Sequence, residues 1–139
     1  MDIDFASLLF SFQGRINRAK YWIAVVAYGS LLIAILGLGF FFQFSAWFMV
    51  AALLLILAMG ISGIAVGIKR LHDRDKAGWW LLLFYLLPPV FDGLGRSIGF
   101  ALAFHLASAA VSLWMIVELG LLRGTSGSNQ YGPDPLADQ

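Results

Sequence analysis

Cysteine is absent from the 139 residues, which excludes disulfides, thiolate metal sites and cysteine nucleophiles. Charge is almost as scarce. Asp, Glu, Lys and Arg make up 12% of the chain, where a soluble domain carries about 25%. The formal net charge of +1 leaves no electrostatic footprint for nucleic acid, so no nucleic-acid partner is expected. There are two histidines, His72 and His105, too few for a His-rich metal spacing, and no Ser/His/Asp nucleophile set is evident. The opening residues, Met1-Asp2-Ile3-Asp4, are acidic where a cleavable signal peptide is basic, so the apolar spans are expected to direct insertion themselves.

What remains is mostly hydrocarbon. Hydrophobic residues make up 60% of the chain and the mean hydropathy is +0.84, an apolar excess that only lipid can accommodate. Backbone groups in lipid must be satisfied within their own segment, which predicts helices. The expected fold is an all-α integral membrane protein, one membrane domain over residues 1–139: a bundle of four transmembrane helices with a short interfacial N-terminal helix and a turn-rich cytoplasmic tail. The spans are expected over about 20–42, 47–68, 78–95 and 98–122, judged by the roughly 20 apolar residues needed to cross a hydrocarbon core. The third is the short one. Pro88-Pro89 removes two backbone donors and predicts a kink or an end, which leaves a kinked span and a re-entrant hairpin both open. Phe5, Leu8, Leu9 and Phe12 follow helical spacing opposite Asp4, Ser7 and Ser11, which suits an interfacial helix over about 3–13, stopped near Gly14. The tail, 123–139, is rich in Gly, Ser, Asn, Asp and Pro and reads as turns.

Charge orients this bundle. Arg15, Arg18, Lys20, Lys69, Arg70, Arg74, Lys76 and Arg123 fall on one side of a four-span arrangement, and only Arg96 falls on the other. The positive-inside rule therefore puts both termini and the charged loop in the cytoplasm. Trp22, Trp47, Trp79 and Trp80 lie near span ends, where amphipathic rings prefer to sit.

Three segments carry the densest polar chemistry: FSFQGRINRAKYW from Phe10 to Trp22, RLHDRDKAGWW from Arg70 to Trp80, and GSNQYGPDP from Gly127 to Pro135. Their identity and order resemble the signatures of a bacterial inner-membrane family, domain of unknown function 805, the YhaH-type membrane proteins. The resemblance spans nearly the whole chain. It implies a small multi-pass helical protein of the bacterial inner (plasma) membrane, and it implies no activity. Ala77 departs from the Ser expected before Gly78, which weakens any role needing a hydroxyl there.

His72 and Asp73 have two readings, a ligand or acid–base pair and part of an ion-paired loop. Adjacent residues on a helix point about 100° apart and cannot grip an ion without a third partner. Glu118, near the end of the fourth span, is a functional candidate because it ionises within a membrane, and otherwise a partner for Arg70, Lys69 or Arg123. His105, Ser108 and Ser112 form a small polar stripe on the same helix, suited to a substrate path or to a helix contact. Gly60, Gly63 and Gly67 make a close-packing face for the first or fourth span of the same chain, or for another copy in a homo-oligomer; a membrane protein partner is also open. With the tail folded back, Arg15, Arg18, Arg70, His72, Asp73, Arg74, Asn129, Tyr131 and Asp134 are expected to form one cytoplasmic patch. The resulting expectation is a non-enzymatic scaffold, or a subunit that recognises anionic lipid head groups or a partner through this patch. The alternative is a small transporter or channel using His105, Ser108, Ser112 and Glu118, though only one helix offers polar groups at depth. A membrane-embedded hydrolase using His72 and Asp73 is the third class. No cofactor or metal is expected.

Overall fold

A computed structural model of the chain describes residues 9–137. Among them four helices are long and apolar enough to cross a membrane, and none of them is a strand. Helix α1 covers Arg18–Phe41, α2 Ala46–Asp73, α3 Trp80–Ile98 and α4 Ala101–Ile116, and α4 runs into a π turn, Val117–Leu121. Asn17 caps α1, its side-chain oxygen accepting the Lys20 N–H at 2.9 Å. Residues 3–8 of the expected interfacial helix lie outside the described residues. Leu9 and Phe10 are helical, and the helix ends there, short of the expected 13. The reason is local: the Gln13 N–H turns back onto the Ser11 hydroxyl, and Gly14 adopts φ +88°.

Helix α2, at 28 residues, is about 42 Å long and outreaches a hydrocarbon core of about 30 Å. It continues past the expected end at Ile68, so Lys69, Arg70, His72 and Asp73 are all helical. Helix α3 also runs further than expected, through both Pro88 and Pro89 to a left-handed Gly99 (φ +79°). Two prolines do not end it because α4 lies antiparallel against it over most of its length, the setting in which transmembrane helices tolerate the lost donors. Gly95 lets α4 come close, since a methyl group there would fall 2.8 Å from the Phe104 Cβ.

Two helical hairpins result, α1–α2 and α3–α4, and they meet at one end. Leu71, Leu81, Phe84 and Leu119 form one buried cluster there, and Ile16, Ala24 and Val66 form a second. Elsewhere the helices present apolar side chains outward, such as Ile33, Phe40 and Leu102, each more than 70% exposed, as a lipid-facing surface requires. Between the hairpins an apolar cleft of about 620 Å³ opens beside Tyr28, Leu82 and Tyr85. Of the three glycines expected to pack against the first or fourth span or another copy, Gly67 instead lies under Leu81 of α3. Gly60 and Gly63 border the cleft, where an added methyl group would meet nothing within 4 Å.

Candidate functional site

The charged end is built by the segment after the π turn folding back across the end of α2. The Thr125 N–H donates to the Asp73 carbonyl at 2.8 Å, and the Asn129 amide donates to the His72 carbonyl at 2.9 Å. Gly124 lies so close to the Asp73 carboxylate that a Cβ would collide with it. Tyr131 stacks flat on His72, ring centroids 3.8 Å apart. His72 Nδ1 faces the Gly14 carbonyl at 3.2 Å. A carbonyl only accepts, so this nitrogen carries the proton.

Asp73 is the hub. Arg15 Nε and Nη2 donate to its Oδ1 at 3.2 and 3.1 Å, and Arg70 Nη1 bridges to its Oδ2. The side chains of Arg15, Arg70 and Asp73 are 1%, 0% and 4% exposed. Arg15 also donates through Nη1 to the carbonyls of Gly127 and Gly132, and through Nη2 to that of Thr125 at 2.6 Å. All five of its N–H donors are thereby used. A head-group phosphate would have to displace internal partners to reach it.

The second ion cluster surrounds Glu118, in the π turn and 4% exposed. Its partners are Arg74 Nε at 3.1 Å and Lys76 Nζ at 3.0 Å, instead of the expected Arg70, Lys69 or Arg123. Lys76 also lies 5.2 Å over the Trp80 ring.

The π turn explains why so much donor capacity gathers here. A helix end leaves its last carbonyls without intrahelical partners, and the dipole there favours cations. Arg70 Nε takes the Leu119 carbonyl at 2.7 Å, Trp22 Nε1 takes Gly120 at 3.0 Å, and Arg18 reaches Leu121 at 3.4 Å. Arg70 Nη2 takes Leu122 and Arg74 Nη1 takes Arg123. Five successive carbonyls are capped by side chains from α1, α2 and the loop that follows α2. In the tail, Asp134 accepts the N–H groups of Leu136 and Gly127, each at 2.9 Å, and these bonds hold its carboxyl below the usual range.

The structure thus brings Arg15, Arg70, His72, Asp73, Asn129 and Tyr131 together, with Arg18, Arg74 and Asp134 around them. It does not bring together the four polar residues of the last span. Glu118 belongs to the charged end, while His105 is about 20 Å away along α4. There His105 Nδ1 pairs with Asp92 Oδ1 of α3 at 2.8 Å, both partly exposed. Ser108 is buried, and Ser112 donates to the Ser108 carbonyl of its own helix at 2.9 Å. His72 does not touch the Asp73 carboxylate, whose two oxygens both face guanidiniums, so no acid–base dyad is formed. Among the described residues no three His, Asp or Glu side chains are placed to hold a metal ion. Lys76, Trp22, Thr125, Gly124 and Asp92 are not among the site residues expected from the sequence. Lys76 and Trp22 lie inside the quoted motifs and could have been, whereas nothing in the pattern marks the other three.

The family described as "Protein of unknown function (DUF805)" matches residues 9–133. The uncharacterized protein YiiR of Escherichia coli (strain K12) is 30% identical, over 91% of this chain and 86% of its own length. The inner membrane protein YhaI of the same strain is 32% identical, over 89% of this chain and 85% of its own. The inner membrane protein YhaH is 30% identical, over 89% and 86%. No solved structure matches.

Proposed function

The chain belongs to the DUF805 family of proteins of unknown function, and from that premise we propose that it is a non-enzymatic subunit of the bacterial inner membrane, a scaffold that binds lipid or a protein partner at its charged end. The charged end faces the cytoplasm in this reading. Eight basic residues gathered at one end support that orientation, as do relatives named as inner membrane proteins.

The observation that carries the proposal is where the ionisable groups are spent. Arg15, Arg70, Asp73, Glu118, Arg74 and Lys76 answer one another and the end of α4. A buried charge held by several fixed partners is costly to move and poorly placed to exchange protons or ligands, so these residues fix a shape. At membrane depth the hydroxyls of Tyr28 and Ser62 bond to each other at 2.6 Å, a helix–helix contact between α1 and α2 that leaves neither group to line a path.

Reconstitution tests the proposal. Proteoliposomes holding the purified chain are expected to pass protons, small cations and small anions no faster than protein-free liposomes. A selective flux removed by His105→Ala would overturn it in favour of a transporter.

A further inference from the structure

Between the start of α1 and the folded tail lies a polar recess of about 360 Å³, within the range of roughly 300–1,000 Å³ usual for small-ligand sites. Arg18, Arg123, Ser126 and Asp134 line it, together with Asn17 and the buried Asp73. Its two arginines differ from the other three at this end. Arg15, Arg70 and Arg74 are engaged by carboxylates, but Arg18 and Arg123 form no ion pair among the described residues. Both are exposed, and among the described residues the one side-chain bond of Arg18 is the 3.4 Å contact to Leu121.

The carboxylates on the recess do not cancel them. Asp73 is answered by Arg15 and Arg70, and Asp134 spends its oxygens on the N–H groups of Gly127 and Leu136. Among the described residues, two guanidiniums outside any ion pair therefore face one carboxylate outside any ion pair, Asp134, which leaves this part of the recess positive. Guanidinium forks match phosphate oxygens two at a time, and the Ser126 hydroxyl adds a donor. Arg18 opens α1, and Trp22, one turn further on and 41% exposed, lies at the level where indole rings mark a membrane boundary.

We propose that this recess binds a phosphate group through Arg18 and Arg123, carried either by an anionic phospholipid of the adjoining leaflet or by a free phosphate. The inference rests on the binding-subunit reading above and names its site and ligand chemistry.

The test uses the full chain purified in detergent. Native mass spectrometry compares retention of phosphatidylglycerol with that of phosphatidylcholine, and calorimetry measures inorganic phosphate. Arg18→Gln with Arg123→Gln is expected to weaken whichever probe binds by on the order of tenfold or more. Preferential retention of phosphatidylglycerol alone identifies a lipid head group, and binding of inorganic phosphate identifies a free one. Asp134→Asn, which removes the opposing charge, is expected to tighten binding. Arg18→Lys with Arg123→Lys keeps the charge without the forks and is expected to lie between, so the question stays answerable if the glutamine variant fails to fold. The site is overturned if the wild type holds neither probe, or if a folded glutamine variant binds as the wild type does. Selective flux through proteoliposomes would instead sink the binding-subunit reading and leave this comparison standing.

Discussion

Asp73→Asn removes one charge and almost no volume, so it isolates what the hub carboxylate contributes. In the native fold one carboxylate answers two guanidiniums that are 1% and 0% exposed. Asparagine keeps one acceptor oxygen. Arg15 retains the carbonyls of Gly127, Gly132 and Thr125, and Arg70 those of Leu119 and Leu122. The lost element is the counter-charge between two buried cations. Breaking a buried pair from one side costs about 3–5 kcal/mol, and the surviving carbonyl bonds argue for the lower figure, about 3 kcal/mol. Thermal unfolding in detergent should show Tm falling by on the order of 10 °C. The loss should be nearly the same at low and high salt, because buried pairs are little screened. Arg15→Met removes the charge it would otherwise strand, so the double variant should lose less than the sum of the singles, with a coupling of about 1 kcal/mol or more. A drop under about 1 kcal/mol for Asp73→Asn, or an additive cycle, would refute the hub.

Three further outcomes follow from the same geometry. Glu118→Gln should couple with Arg74→Met in a double-mutant cycle and not with Arg70→Met, since Glu118 bridges to Arg74 and Lys76; stronger coupling to Arg70 would contradict the pairing. Gly124→Ala drives a methyl group into the Asp73 carboxylate and should lower Tm by several degrees, whereas Gly63→Ala enters open space and should leave Tm unchanged or slightly higher, so equal losses would show that burial at Gly124 is not the cause. Reporter fusions placed after Gln139 should read cytoplasmic, and a periplasmic reading would reverse the orientation proposed from the charges.

Much of the fold was legible because lipid leaves few options. Uncharged runs long enough to cross had to be helices, and the polar segments had to gather at their ends. What the sequence hid is where side chains turn once the tail returns. An arginine at the end of a span reads as reaching for head groups. The side chains of Arg15 and Arg70 are instead buried, and five of their bonds go to backbone carbonyls; no residue pattern records a carbonyl. Glu118 was matched to the wrong cations for a related reason. Counting along a regular helix cannot foresee a π turn, which shifts the register and aims Glu118 at the loop beyond α2. The run through Pro88-Pro89 depended on α4, which a local rule does not see.

These misses share a physical root. Between helices in lipid there is no hydrophobic drive, so the α1–α2 and α3–α4 hairpins need some other reason to stay together. Their buried clusters lie at the charged end, and further along an apolar cleft separates them. The ion network fills that need: Arg70, Arg74 and Trp22 of the first half grip the end of α4 in the second. In a chain with so few charges, most of those at this end are occupied with closing the fold. Among the described residues Arg18 and Arg123 enter no ion pair and line one recess, so their charge is the part of this end that closing the fold does not use.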